Sequence, residues 1–198
     1  MTSVFARRCL RIALALAAAL PTLALAHPGH GANDALAGWL HPFTGFDHLL
    51  AMFAVGLWAA RLGRGAVWTL PIVFPVAMAV GAMVAIQGVA LPAIEPMIAM
   101  SVIALGVLVA AAVRLPLMAS AMLVGLFAIF HGYAHASEAP ASPTMIPYAL
   151  GFIASTIALH ASGIAAGRWT ERFAAAGQRP VRLLGSLIAV AGTGMLFF

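Results

Sequence analysis

The chain has 198 residues, of which 64% are hydrophobic and 8% charged, and its mean hydropathy is +1.05. A soluble domain is nearer ~45–50% apolar and ~25% charged, so a soluble globular enzyme, a disordered tail and a coiled coil are excluded and an integral membrane protein remains. The formal net charge is +5 and every basic residue is arginine. The arginines are scattered between apolar runs, which reads as membrane topology and not as a nucleic-acid surface. The single cysteine, Cys9, can build neither a disulfide framework nor a thiolate metal site.

Residues 1–26 read as a secretory signal. Arg7, Arg8 and Arg11 make a basic start, Ile12 to Leu20 a short apolar core, and Ala24-Leu25-Ala26 a small-residue cleavage site after Pro21. Cleavage would leave His27 first and the N-terminus outside the cytoplasm. An uncleaved first helix is the alternative, although the run is short for a span of ~20 residues.

Six spans are expected, at roughly 43–60, 66–87, 96–113, 116–136, 147–167 and 182–198. Arginine, glycine or proline marks each break between them. With the N-terminus outside, Arg61 and Arg64, Arg114, and Arg168, Arg172, Arg179 and Arg182 all fall on the cytoplasmic side, as the positive-inside rule requires. Trp58, Trp68, Trp169, Tyr133 and Tyr148 lie near span ends, as an aromatic belt would. The runs are continuously apolar and too long for barrel strands, so the fold class is all-α, a polytopic transmembrane helix bundle of one domain over 27–198. Pro71 and Pro75 are expected to kink the second span. Gly163 and Gly167 form a GxxxG that would let helices approach closely.

Ionisable groups inside a span are costly and point to function. The first span opens His41-Pro42-Phe43-Thr44-Gly45-Phe46-Asp47-His48, the fourth closes His131-Gly132-Tyr133-Ala134-His135-Ala136-Ser137-Glu138, and the fifth carries Ser155, Thr156 and His160. Asp47 and His48 lie ~7–10 Å below the outer end of their span, His131 at a similar depth, and His160 ~20 Å down. His131 and His135 are one turn apart and share a helix face. Together these residues describe a descending series of metal ligands. Neutral imidazole with a carboxylate suits nickel, cobalt, zinc, copper or iron. Asp47 either ligates or orients the ligating His48 imidazole.

Structural roles are the alternatives. His41 and His135 could be interfacial residues, Asp47 a helix cap, Glu95 a cap at the helix start before Pro96, and Ser155 and Thr156 partners of their own backbone. The scattered methionines read as gap-filling core. His27 and His30, in His27-Pro28-Gly29-His30-Gly31, would expose two imidazoles to collect an ion outside the membrane, or serve as a soluble tail.

The motifs His41-Pro42-x-x-Gly45-x-Asp47-His48, Phe130-His131-Gly132-x-Ala134-His135-x-x-Glu138, and Tyr148-x-x-Gly151-Phe152 with Leu159-His160-x-x-Gly163 occur in order across the mature chain. In these the chain resembles the HupE/UreJ family. The resemblance implies a bacterial inner-membrane permease for nickel or cobalt, linked to the maturation of nickel or cobalt enzymes. It implies functional roles for His41, Asp47, His48, His131, His135 and Glu138, with His160 in the less specific third motif. Ala136 stands where the family usually has glycine, a change expected to alter packing and not ligation.

The expected activity is import of a divalent ion. His27 or His30 gathers it, Glu138 guides entry, Asp47, His48, His131 and His135 replace part of its water shell, and His160 relays it inward. The inner halves of the spans are almost purely apolar, so a gated or alternating passage is expected in place of an open channel. There is no Walker motif and no lysine, so ATP hydrolysis by this chain is excluded. The expected partners are the ion and the lipid bilayer, with no nucleic acid and no prosthetic group; a homo-oligomer is left open. Two other classes stay open: an intramembrane zinc hydrolase on His and Asp ligands, and a haem-binding electron carrier with His131 and His160 as axial ligands.

Overall fold

The structure is a computed structural model, and it describes residues 34–138, 145–172 and 179–197. The expected signal sequence, Cys9, His27 and His30 lie outside the described residues. Among the described residues the chain is helical throughout, with no strand. Seven α-helices follow in order: α1 (Asp34–Thr44), α2 (Phe46–Leu62), α3 (Ala66–Ile86), α4 (Ile94–Ala110), α5 (Leu117–Glu138), α6 (Met145–Arg172) and α7 (Arg179–Met195). The chain is a polytopic helical bundle. Three segments, Ala66–Ile86, Leu117–Ser137 and Ile146–Thr170, are long and apolar enough to cross a membrane. Helices α1 and α2 meet at 84° and pass the same test only together, as a broken span or a re-entrant loop, while α4 and α7 are shorter apolar helices.

The first expected span differs from what forms. The sequence places its start near residue 43, whereas the helix breaks at Gly45 and residues 34–44 form a helix of their own. Gly45 is extended (φ −86°, ψ 107°) and its N–H still bonds the His41 carbonyl at 3.2 Å. Pro42, inside α1, has no N–H to continue the ladder. Further along, Gly63 (φ 105°) ends α2 with its N–H on the Ala59 carbonyl, a backbone conformation that glycine adopts without penalty.

In lipid the hydrophobic effect does not drive one apolar helix against another, so association rests on close packing at small residues. The bundle follows that rule. The principal pairings are α3 with α5, α4 with α7, α2 with α6 and α1 with α6. Each is made at glycines. A Cβ on Gly132 would meet the Met78 carbonyl oxygen and one on Gly81 that of Ile129; Gly106 faces Gly185, Gly56 faces Gly163, and Gly38 and Gly151 lie against the Tyr148 and Ala35 backbones. The Gly163 and Gly167 pair is therefore a true contact stripe, lying on Phe53, Gly56 and Ala60 of α2.

Helix α2 is the central element. Met52, Val55, Leu57 and Trp58 are fully buried, with Leu70 and Phe74 of α3 and Val102 and Leu105 of α4 in the same core. Trp58 corrects the aromatic-belt expectation. Its ring is buried and its indole N–H donates to the Val113 carbonyl at 3.0 Å, whereas Trp68 and Trp169 are exposed. Ser155 and Thr156 both donate to the Phe152 carbonyl, at 2.9 and 2.8 Å, which satisfies them within α6. Glu95 does not cap α4: Ala93 holds the cap position without a side-chain hydrogen bond, and Glu95 sits exposed in the first turn, where a negative charge favours the helix dipole.

The ends of the bundle are chemically distinct. Trp58 reaches Val113, the Arg182 Nε–H donates to the Ala110 carbonyl at 2.8 Å, and Gly167 lies on Ala60. These contacts gather the segments bearing Arg61, Arg64, Arg114, Arg168 and Arg182 at one end. The bend between α1 and α2, the end of α5 and the start of α6 form the opposite end.

Candidate metal centre

Three helices bring imidazoles together at the arginine-poor end. His41 comes from the last turn of α1, His48 from the first turn of α2, and His131 and His135 from the last two turns of α5. The His48 ring centroid is 4.2 Å from that of His135 and 4.9 Å from that of His131; His41 is 4.7 Å from His135 and 6.1 Å from His48. The 84° bend at Gly45 allows this, because it folds His41 back over the N-terminus of its own successor helix.

Local hydrogen bonds set which ring nitrogen faces inward. The His48 Nδ1–H donates to Asp47 Oδ1 at 2.7 Å, and that oxygen also accepts the His48 backbone N–H at 2.8 Å. Asp47 thus holds the His48 ring in place through both bonds. The His131 Nδ1–H donates to the Phe127 carbonyl at 3.1 Å. These pairings assign the tautomer by partner chemistry and leave the Nε2 lone pair available, the form a metal requires. Nε2 of His48, His131 and His135 is buried with no hydrogen-bond partner among the described residues. Buried polar atoms are almost always paired, and three without partners in one cluster make this the candidate site.

Aromatic rings wall the cluster. Phe152 of α6 lies 4.6 Å from His135, Tyr148 lies 5.9 Å from His41, and Phe74 of α3 lies 5.8 Å from His131. Tyr148 is therefore a wall of the site as well as an end-of-span aromatic. Gly45, Tyr148 and Phe152 stand in the sequence motifs without an evident role, and Phe74 carries no sequence signal at all. A Cβ on Gly45 would fall 2.9 Å from His48 Nδ1 and 3.1 Å from Asp47 Oδ1, so any other residue there displaces that pair.

His160 does not join the cluster. It is 1% exposed on α6, its ring 5.2 Å from Phe74, and neither of its nitrogens has a hydrogen-bond partner among the described residues. Phe74 packs against both His131 and His160. Glu138 is the last residue of α5, one turn beyond His135. Among the described residues no three His, Asp or Glu side chains stand as they would around a bound ion; the imidazoles lie ring against ring.

The HupE / UreJ protein family matches residues 14–195. The chain belongs to the HupE/UreJ family. It is 46% identical over 187 residues to Protein HupE of Rhizobium leguminosarum bv. viciae, covering 94% of this chain and 97% of that relative. No solved structure matches it. The family is a transporter-type family related to nickel and cobalt transport, and the chain is accordingly a membrane protein.

Proposed function

We propose that this HupE/UreJ protein is an inner-membrane permease that imports a divalent transition-metal ion, nickel or cobalt, through the histidine cluster. The observation that carries the reading is the group of three buried, unpartnered Nε2 atoms from two helices, His48, His131 and His135, with His41 beside them. Imidazole nitrogen suits both metals. Side-chain rotation about χ1 and χ2 converts the edge-on and tilted rings into a ligand set around an entering ion, and Asp47 holds His48 in the correct tautomer. In this scheme His27, His30 and Glu138 gather the ion before it enters. Nickel and cobalt are substrates in this scheme, and no prosthetic group takes part.

The arginine-bearing end faces the cytoplasm, following the positive-inside rule, so the cluster opens outward. Inward movement of a divalent cation down a potential of ~100 mV gains ~4.6 kcal/mol, which is a sufficient driving force. The delivered ion supplies nickel- or cobalt-enzyme maturation. Accumulation of radioactive nickel and cobalt by cells expressing the wild type, His48→Ala or His131→Ala, at matched membrane abundance, tests the reading. Wild-type accumulation lost in both variants supports it. Equal accumulation in wild type and variants removes the histidines from the path.

A further inference from the structure

We infer that Phe74 is the gate of the permease, closing the path between the histidine cluster and a separate inner ligand, His160. The inference rests on the permease reading above and concerns how the ion leaves the cluster.

His160 calls for an explanation of its own. A neutral imidazole carries one N–H donor and one acceptor lone pair, and His160 is buried with both nitrogens unpartnered among the described residues. Leucine or methionine would fill the same volume without orphaning polar atoms, so packing alone does not account for histidine here. Its place in chain order is telling. Phe152, which walls the outer cluster, precedes it by eight residues on α6, or about 12 Å along the helix. His160 is thus well inside the bundle relative to His41 and His135, and His131 is the member of the cluster nearest to it through a shared neighbour.

That shared neighbour is Phe74. Its ring is fully buried and meets the His131 ring edge-on at 5.8 Å and the His160 ring edge-on at 5.2 Å. An ion moving from one imidazole to the other must displace the phenyl group, because a dry aromatic ring offers no replacement for lost water ligands. The backbone beside it is suited to that motion. Pro71 and Pro75 flank Phe74 within α3. Neither proline has an N–H, so the carbonyls of Val67 and Pro71 lose their helical donors at successive turns, and such sites are where helices bend. Beyond this stretch α3 is fastened to α5 by the tight Gly81 and Gly132 crossing, so bending at the prolines moves Phe74 without separating the two helices.

The test separates binding from passage. Purified protein is assayed for nickel binding in detergent and, in proteoliposomes, for initial nickel uptake. His160→Gln and His160→Leu are expected to bind nickel at the outer cluster as the wild type does, while uptake falls at least tenfold. Phe74→Leu and Phe74→Ala are expected to raise initial uptake at least threefold relative to the nickel that each variant binds. Two Phe74 substitutions are used because Leu retains most of the packing if Ala does not fold. Wild-type uptake in both His160 variants, or parallel loss of binding and uptake in them, overturns the inner ligand. Uptake relative to bound nickel at or below the wild-type value in a folded Phe74 variant overturns the gate. If the wild type neither binds nor transports nickel or cobalt, the permease reading itself fails, a result distinct from either.

Discussion

His48 and Asp47 are neighbours in sequence and partners in space: one carboxylate oxygen, Asp47 Oδ1, accepts both the ring Nδ1–H and the backbone N–H of His48. The side chains are largely sheltered, 9% and 28% exposed. A carboxylate behind a histidine fixes the ring and raises the basicity of the distal nitrogen, and losing such a partner costs ~10–100-fold in metal affinity. Asp47→Asn keeps an acceptor but removes the charge. Nickel affinity measured by calorimetry is expected to fall at least ~10-fold in this variant, with the protein still folded; unchanged affinity would show that the carboxylate acts only on the helix start.

Gly45 protects the same pair. Gly45→Ala places a methyl against His48 Nδ1 and Asp47 Oδ1, and the rings and carboxylate have to move. Metal uptake is expected to drop while membrane abundance stays near wild type. Wild-type uptake from this variant would mean that the pairing has no functional weight.

The crossing of α3 and α5 has a steric limit. At Gly132 a Cβ would run into the Met78 backbone, and overpacking of this kind costs about 1–3 kcal/mol or more. Gly132→Ala is expected to lower thermal stability in detergent and Gly132→Leu to abolish accumulation of folded protein. Thermal unfolding of the Ala variant checks this directly.

Trp58 gives a contrasting expectation. Its indole N–H donates to Val113 at the arginine-bearing end, far along α2 from His48. Trp58→Phe removes one hydrogen bond, worth about 1 kcal/mol, and leaves the Val113 acceptor unmet. Lower stability with retained uptake is expected. Loss of uptake at unchanged stability would place Trp58 in the transport path.

Protons and metal ions compete for the same imidazole lone pairs. Metal binds the neutral ring, so acid opposes binding and alkali does not. Uptake is expected to decline as the external pH falls below about 6, and more nickel should restore it. A decline that excess nickel does not relieve would indicate damage to the fold.

Much of this was legible in the sequence, for identifiable reasons. Apolar runs interrupted by arginine, glycine and proline locate helices because a bilayer admits little else, and α3, α5 and α6 fall on such runs. Histidines at positions 41, 48, 131 and 135 stand out because charged or polar groups are scarce in this chain. The bend at Gly45 was not legible. Residues 41–48 are a mixed stretch in which a glycine can either continue a helix or break it, and only tertiary contact of α1 with α6 decides. Nor was the burial of Trp58, since a tryptophan near a span end looks the same whether it faces lipid or core. Phe74 was hidden among many apolar residues, and its importance lies in touching two histidines far away in sequence.

The most direct measurement is uptake by purified protein in liposomes containing a metal-sensitive dye, with an imposed inside-negative potential and no other protein present. Wild type is expected to admit nickel or cobalt faster than empty liposomes, and His48→Ala with His131→Ala to return the rate to that background. Uptake in the double variant equal to wild type, or none in well-folded wild type with either metal, would contradict a permease working through the histidine cluster.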